Sequence, residues 1–142
     1  MPRISSTDRR SGCPISIALE LFGDPWTLLI VRDLMFKGLD TFHGFQNAGE
    51  RIASNILSDR LARLEAAGIV TKQRQAGDRR RISYRLSSKG IDLAPVLVEL
   101  VLWSAKYEIT DAPAPVVREM RLNRERFVEE VRAGWSKARG RQ

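Results

Sequence analysis

The chain is 142 residues long and 43% hydrophobic, with 24 Lys and Arg against 17 Asp and Glu, a net charge of +7. That length buries one ordinary core and would leave two full domains thin, so one domain with appended helices is expected, and the basic excess favours a polyanion such as nucleic acid or an anionic membrane surface. No apolar run approaches the roughly 20 residues that cross a bilayer and the first residues lack the apolar stretch of a signal peptide, so a cytoplasmic protein with no membrane partner is expected.

Residues 1–12 carry Ser, Thr, Arg and Gly with little to bury and read as a flexible tail. From Pro14 to Leu21 the apolar residues Ile15, Ile17, Ala18, Leu19 and Leu21 predict a short helix closed by Gly23. Asp24 as N-cap with Pro25 at the first helical position predicts a second helix, DPWTLLIVRDLMFKG, ending at Gly38. Its broad apolar surface implies central burial. Asp40 is the expected cap of a short helix over DTFHGFQN, with Phe42 and Phe45 turned inward. The AGER loop then breaks the chain, as the turn of a helix-turn-helix would.

The next helix, about 54–67, places Leu57, Leu61 and Leu64 on one stripe and ends at Gly68. Its other face carries Ser54, Asn55, Ser58, Asp59 and Arg63, groups that can meet base edges and phosphates in a major groove. The bland alternative is a solvated face, and the cationic hairpin next in the chain argues against it. Two alternating segments around AGD, about 70–86, predict that hairpin, in which Val70 faces Tyr84 or Leu86. Arg74, Arg79, Arg80 and Arg81 stand among its cations, the last three at or near the tip, where arginine suits phosphate or a minor groove. Asp59 is the discordant member: it must accept from cytosine N4, pair with Arg63 at i+4, or face away.

Ser87 caps a predicted long helix to Tyr107, with Pro95 permitting or imposing a bend and with more apolar surface than a small domain covers. After DAPAP, a final helix from Val116 to Trp135 sets apolar residues on one side. The simplest cover for such surfaces is a second copy, a homodimer that spaces two reading helices about 34 Å apart on B-DNA.

One cysteine, Cys13, and one histidine, His43, exclude an internal disulfide framework and a structural zinc site, so no metal and no cofactor is expected. His43 has no Asp, Glu or Ser at a motif spacing, and no phosphate loop, carboxylate pair or nucleophile elbow occurs, so an enzyme is not expected. Trp26, Phe42, Phe45, Trp103 and Tyr107 could line a pocket for a small aromatic effector, against the plainer reading that they are core.

The ordered set Cys13-Pro14, DPWTLLIVRDL, TFHGFQ, IASNILSDRLARLEAAGIV, a basic hairpin and YRLSSKGIDLAPVLVELVLW resembles the HxlR-type transcriptional regulators, winged-helix relatives of the MarR-type regulators. The resemblance covers about residues 13–107. It implies a mainly α fold with a small β-hairpin, a winged helix-turn-helix with N- and C-terminal dimerisation helices; segment 108–142, beyond the resemblance, is expected to be a linker and a dimer-associated helix. It further implies a homodimeric repressor on a pseudo-palindromic double-stranded DNA operator. Some regulators of this type sense oxidants or electrophiles through a cysteine before the first helix, and a helix N-terminus with Arg9 and Arg10 nearby would favour the Cys13 thiolate. The chain departs from the family at Gly23-Asp24-Pro25, where Gly-Gly-Lys is common, and in the helix beyond Val116. The alternative function is a winged-helix protein-interaction module without sequence-specific DNA binding.

Overall fold

A computed structural model describes residues 9–140, with eight helices and one hairpin among them. The order is α1 (Pro14–Phe22), α2 (Thr27–Met35), α3 (Phe42–Gln46), α4 (Ser54–Ala66), β1 (Val70–Gln75), β2 (Asp78–Leu86), α5 (Ser88–Ile91), α6 (Ala94–Tyr107), α7 (Ala114–Leu122) and α8 (Arg124–Gly140). The expected mobile tail lies partly outside the described residues. Within them, Arg10 is fastened to α1, its amide donating to Glu20 Oε1 at 2.8 Å and its guanidinium reaching Ser16 Oγ.

The chain divides into two compact units between Gly90 and Ile91, ahead of the boundary near Tyr107 that the sequence predicts. In the first unit, α2 and α4 pack together and α4 packs on β1. Its core is Ile30, Val31, Phe45, Ile52, Leu57, Leu61, Leu64, Ile69, Val70 and Leu86, all buried. Each fully buried Leu or Ile of this set stabilises the fold by about 2 kcal/mol. Hence the stripe Leu57, Leu61, Leu64 is what holds α4 in place, and it leaves the opposite face to solvent.

Several boundaries differ from the sequence reading, each for a local reason. α2 begins at Thr27, two residues later than Pro25 at its first position requires, because Asp24 accepts from the amides of Trp26 (3.0 Å) and Thr27 (3.1 Å) and holds an open turn ahead of the helix. It ends at Met35 rather than at Gly38. Thr41, not Asp40, caps α3: its side chain accepts from Gly44 N at 3.0 Å, while the Asp40 carbonyl takes the Tyr84 amide at 2.7 Å. That bond ties the hairpin to the α2–α3 loop. The C-terminus of α4 closes as expected at Gly68, whose φ of 73° allows Ile69 N to donate to Leu64 O (3.0 Å) and Gly68 N to Glu65 O (3.0 Å).

The hairpin pairs Val70 with Leu86, both buried, so Leu86 rather than Tyr84 is the partner; Tyr84 sits opposite Lys72. Ser87 does cap, accepting from Gly90 N at 3.1 Å and donating to Gly68 O at 2.6 Å. The predicted long helix is broken: α5 ends at Ile91 and α6 begins at Ala94 with Pro95 in its first turn, since proline has no N–H to continue a ladder. The predicted final helix is likewise two, α7 and α8, parted at Asn123.

In the second unit, α6 packs against α7 and α8. Arg124 reaches Glu99 at 2.9 Å and Arg132 reaches Asp92 at 2.7 Å, both exposed pairs of modest energy. Val117, Met120 and Val128 are buried. α6 buries Ala94, Leu97 and Val98 but leaves Val96, Leu100, Trp103 and Tyr107 exposed, a line at i, i+4, i+7 and i+11. Among the described residues no single helix is long and apolar enough to cross a membrane.

Candidate nucleic-acid interface

α3, the turn after it and α4 form the helix-turn-helix. Two side chains of the α2 region grip the turn: Lys37 Nζ donates to Ala48 O at 3.1 Å, and Arg32 reaches Glu50 at 2.8 Å. Arg32 also pairs with buried Asp33, whose carboxyl is raised by burial against the opposing pull of Arg32. The turn carries Gly49 at φ 103° and Arg51 at φ 58° before α4 begins.

The N-terminal half of α4 presents Ser54, Asn55, Ser58 and Asp59, all exposed. No side chain caps this helix, since Ala53 holds the N-cap position. Asp59 does not pair with Arg63; its carboxylate is taken by Arg60 beside it. Arg60 in turn crosses to Asp24 Oδ2 at 2.9 Å, with only 21% of its side chain exposed. Burial alone would raise the Asp24 carboxyl, but hydrogen bonds from Thr27, Arg60 and the Trp26 amide outweigh it and bring the group to about 2.

Arg63 departs from the sequence reading. Its guanidinium donates to the carbonyl of Glu20 at 3.3 Å, near the C-terminal end of α1, where a helix terminus attracts a cation. Arg60 and Arg63 therefore brace α4 against the α1–α2 corner, a role the sequence pattern did not reveal for Arg60. The available signal was its place at i+3 from Leu57 and i−4 from Leu64, the flank of a buried stripe, where a cation needs a carboxylate.

The hairpin adds the cations. The turn Ala76-Gly77 is closed by the pair Gln75–Asp78, and the next pair is Arg74–Ile82. Arg79, Arg80 and Arg81 are thus interposed in β2 with no counterpart in β1, a bulge of three arginines rather than the tip itself. Asp78 Oδ1 accepts from Arg80 N at 3.0 Å and shapes the bulge. Arg74, Arg80 and Arg81 are exposed; the side chain of Arg79 lies outside the described part.

The five aromatic residues divide between the two units. Trp26 and Phe45 line a cavity of about 10 Å³ with Arg32, Asp33 and Glu50, room for about one water and not for an aromatic effector. Phe45 also meets Tyr84, ring centroids 6.0 Å apart. Phe42 is half-buried on α3. Trp103 and Tyr107 lie in the second unit against each other at 5.7 Å. Cys13 is exposed at the N-cap of α1, and the Arg10 guanidinium, three residues earlier, is directed to Ser16. His43 is exposed on α3.

Residues 21–111, which hold the helix-turn-helix and the hairpin, match the family described as HxlR-like helix-turn-helix. The chain belongs to the HxlR-like helix-turn-helix family. The chain is 37% identical over 100 residues to an uncharacterized HTH-type transcriptional regulator of Mycobacterium bovis, covering 70% of this chain and 61% of that relative's length. Among solved structures it is similar to the reduced form of the transcriptional regulator YodB from Bacillus subtilis, at 28% identity and a TM-score of 0.56 over 67% of this chain and 93% of YodB. It is also similar to the redox regulator HypR in its oxidized form, at 25% identity and a TM-score of 0.59 over 69% of this chain and 100% of HypR. The chain thus carries the HxlR-like helix-turn-helix fold, spans about three fifths of the length of the mycobacterial relative, and matches relatives that are named as HTH-type transcriptional regulators.

Proposed function

We propose that the protein is a cytoplasmic, homodimeric repressor that binds a pseudo-palindromic operator, with α4 in the major groove and the hairpin on the backbone or in the minor groove. One observation carries this reading. The solvent face of α4 offers Ser54, Asn55 and Ser58, its opposite face is locked into the core, and a bulge of arginines follows one turn later. Asp59 enters as a carboxylate already neutralised by Arg60, so its repulsion of phosphate is reduced and a cytosine N4 donor can still meet its outer oxygen. Arg74, Arg79, Arg80 and Arg81 supply affinity and register.

The dimer reading draws on the exposed α6 line Val96, Leu100, Trp103, Tyr107 and on exposed Ile15 and Leu19 of α1, more apolar surface than one copy covers. The test is a titration of the protein on duplexes from its own upstream region between about 50 and 200 mM salt. A regulator neutralising six or more phosphates loses about a thousandfold in affinity across that range and keeps its preference for one duplex. A protein-interaction module would show neither effect.

A response to oxidants is the second reading, favoured by the exposed Cys13 thiol at the start of α1 and by likeness to HypR and to YodB, which is also solved with a quinone bound. With one cysteine per chain, modification takes the form of alkylation by a quinone or a disulfide to another chain or a small thiol. Cys13→Ser should bind DNA normally and ignore quinone; a retained response in that variant excludes the thiol.

A further inference from the structure

Among the described residues Arg51 is the one non-glycine residue with a positive φ, 58°. An L-residue in that region suffers a clash that glycine avoids, and where a side chain is tolerated Asn or Asp is favoured over a long cation. Both chain neighbours of Arg51 are anchored. Glu50 is held by Arg32 at 2.8 Å on one side, and Ile52 is buried on the other.

The side chain gives nothing back to the fold. Arg51 is exposed, and among the described residues it makes no hydrogen bond or ion pair, unlike Arg32, Arg60 and Arg63, each of which braces the helix-turn-helix. Glycine would suit this backbone better, and the exposed cation is left available to something outside the chain. Its place is two residues ahead of Ala53, the N-cap of α4, beside the end that carries Ser54 and Asn55. A guanidinium there is a planar cation with five donors, suited to a phosphate oxygen.

We propose that Arg51 is a phosphate contact at the leading edge of α4, which clamps the helix to the DNA backbone while Asn55 and its neighbours read bases. The proposal rests on α4 being the DNA-facing helix. It assigns to the turn a strain that exists only because the bound complex uses it.

The experiment compares wild type, Arg51→Gly, Arg51→Asn and Arg51→Lys by fluorescence anisotropy on an upstream-region duplex and on a scrambled duplex of the same composition, over a salt series, with thermal melts alongside. Arg51→Gly and Arg51→Asn should bind both duplexes about tenfold more weakly, with the slope of log affinity against log salt reduced by about one. Their Tm should equal or exceed that of wild type, since both residues accept the left-handed backbone. Arg51→Lys should keep most of the affinity. Wild-type affinity and slope in the Gly and Asn variants would overturn the proposal, as would a lowered Tm in both. If wild type itself shows no salt-dependent binding, the DNA reading of α4 fails first and takes this one with it.

Discussion

Arg60 on α4 meets Asp24, the residue that holds the N-terminus of α2, at 2.9 Å, and both side chains are mostly withdrawn from solvent. The helix proposed to face DNA is therefore oriented by a charge pair 36 residues apart in sequence as well as by its leucine stripe. Arg60→Ala leaves the Asp24 carboxylate with one partner fewer and should destabilise the first unit by about 2–3 kcal/mol. Asp24→Ala should cost a similar amount, and the double variant less than their sum, a coupling of about 1–2 kcal/mol in urea denaturation. Additive losses would mean that the pair does not act as a unit.

Acid should test the same pair with a defined sign. The folded Asp24 carboxyl lies at about 2, below its ordinary 3.8, so its contribution, about 2 kcal/mol, is present above pH 4 and is lost as pH falls toward 2. Asp33 works in the opposite direction: burial raises its folded carboxyl above the ordinary value, and protonating it on the way down relieves a cost. Wild type should therefore hold its urea midpoint down to about pH 4 and lose stability in more acid solution. Asp24→Asn should start lower and show a flatter acid limb; limbs that run parallel for the two proteins would separate Asp24 from acid stability.

The hairpin and α4 should fail differently. Arg80→Ala and Arg81→Ala each remove a proposed backbone contact and should weaken binding to every duplex by a similar factor, lowering the salt slope by about one. Asn55→Ala should shift preference between duplexes by about 1–3 kcal/mol with the slope unchanged. Binding arrays at two salt concentrations distinguish the patterns, and an exchanged pattern would exchange the roles.

Gly90 is needed for a close approach. A Cβ there would lie 2.4 Å from the carbonyl oxygen of Ile69 and 2.9 Å from Leu86 Cδ2. Gly90→Ala should destabilise by about 2–3 kcal/mol, lowering Tm by about 10 °C, because backbone rather than a flexible side-chain end must move. A calorimetric scan with an unchanged Tm would show that the α5 turn can shift freely.

The line Leu100, Trp103, Tyr107 offers a direct test of assembly. Leu100→Glu with Trp103→Glu should convert a dimer to monomer in sedimentation velocity while the far-ultraviolet circular dichroism stays unchanged, since Trp103 is 65% exposed in the single chain. A dimer that survives both charges places its interface elsewhere.

Whatever periodicity or punctuation carries is legible in the sequence. Leu57, Leu61 and Leu64 mark the buried side of α4, and Gly68 its end, since both follow from local geometry. The hairpin follows from alternation around Ala76-Gly77-Asp78. What stays hidden is tertiary. Nothing in the i, i+4 rule says that Asp59 gives up Arg63 for its neighbour Arg60, because that choice depends on Asp24 and on the Glu20 carbonyl. The caps at Thr41 and Trp26 fall one or two residues beyond the expected ones: Asp40 and Asp24 are good cap residues locally, but the Tyr84 amide engages the backbone of one, while the side chain of the other holds the Trp26 and Thr27 amides in an open turn and reaches Arg60 as well. Pro95 permits a bend as far as local rules go, and the folded chain makes it a break.

The three interposed arginines carry one last consequence. Because Gln75–Asp78 closes the turn on one side and Arg74–Ile82 resumes the ladder on the other, the length and charge of the segment between them can change without moving Leu86 in the core or Tyr84 against Phe45. On the proposed reading, adhesion to DNA is thereby placed in a cassette that the fold does not consult. A lineage could retune how long the regulator dwells on its operator by editing that cassette alone, leaving the bases it prefers to the residues of α4.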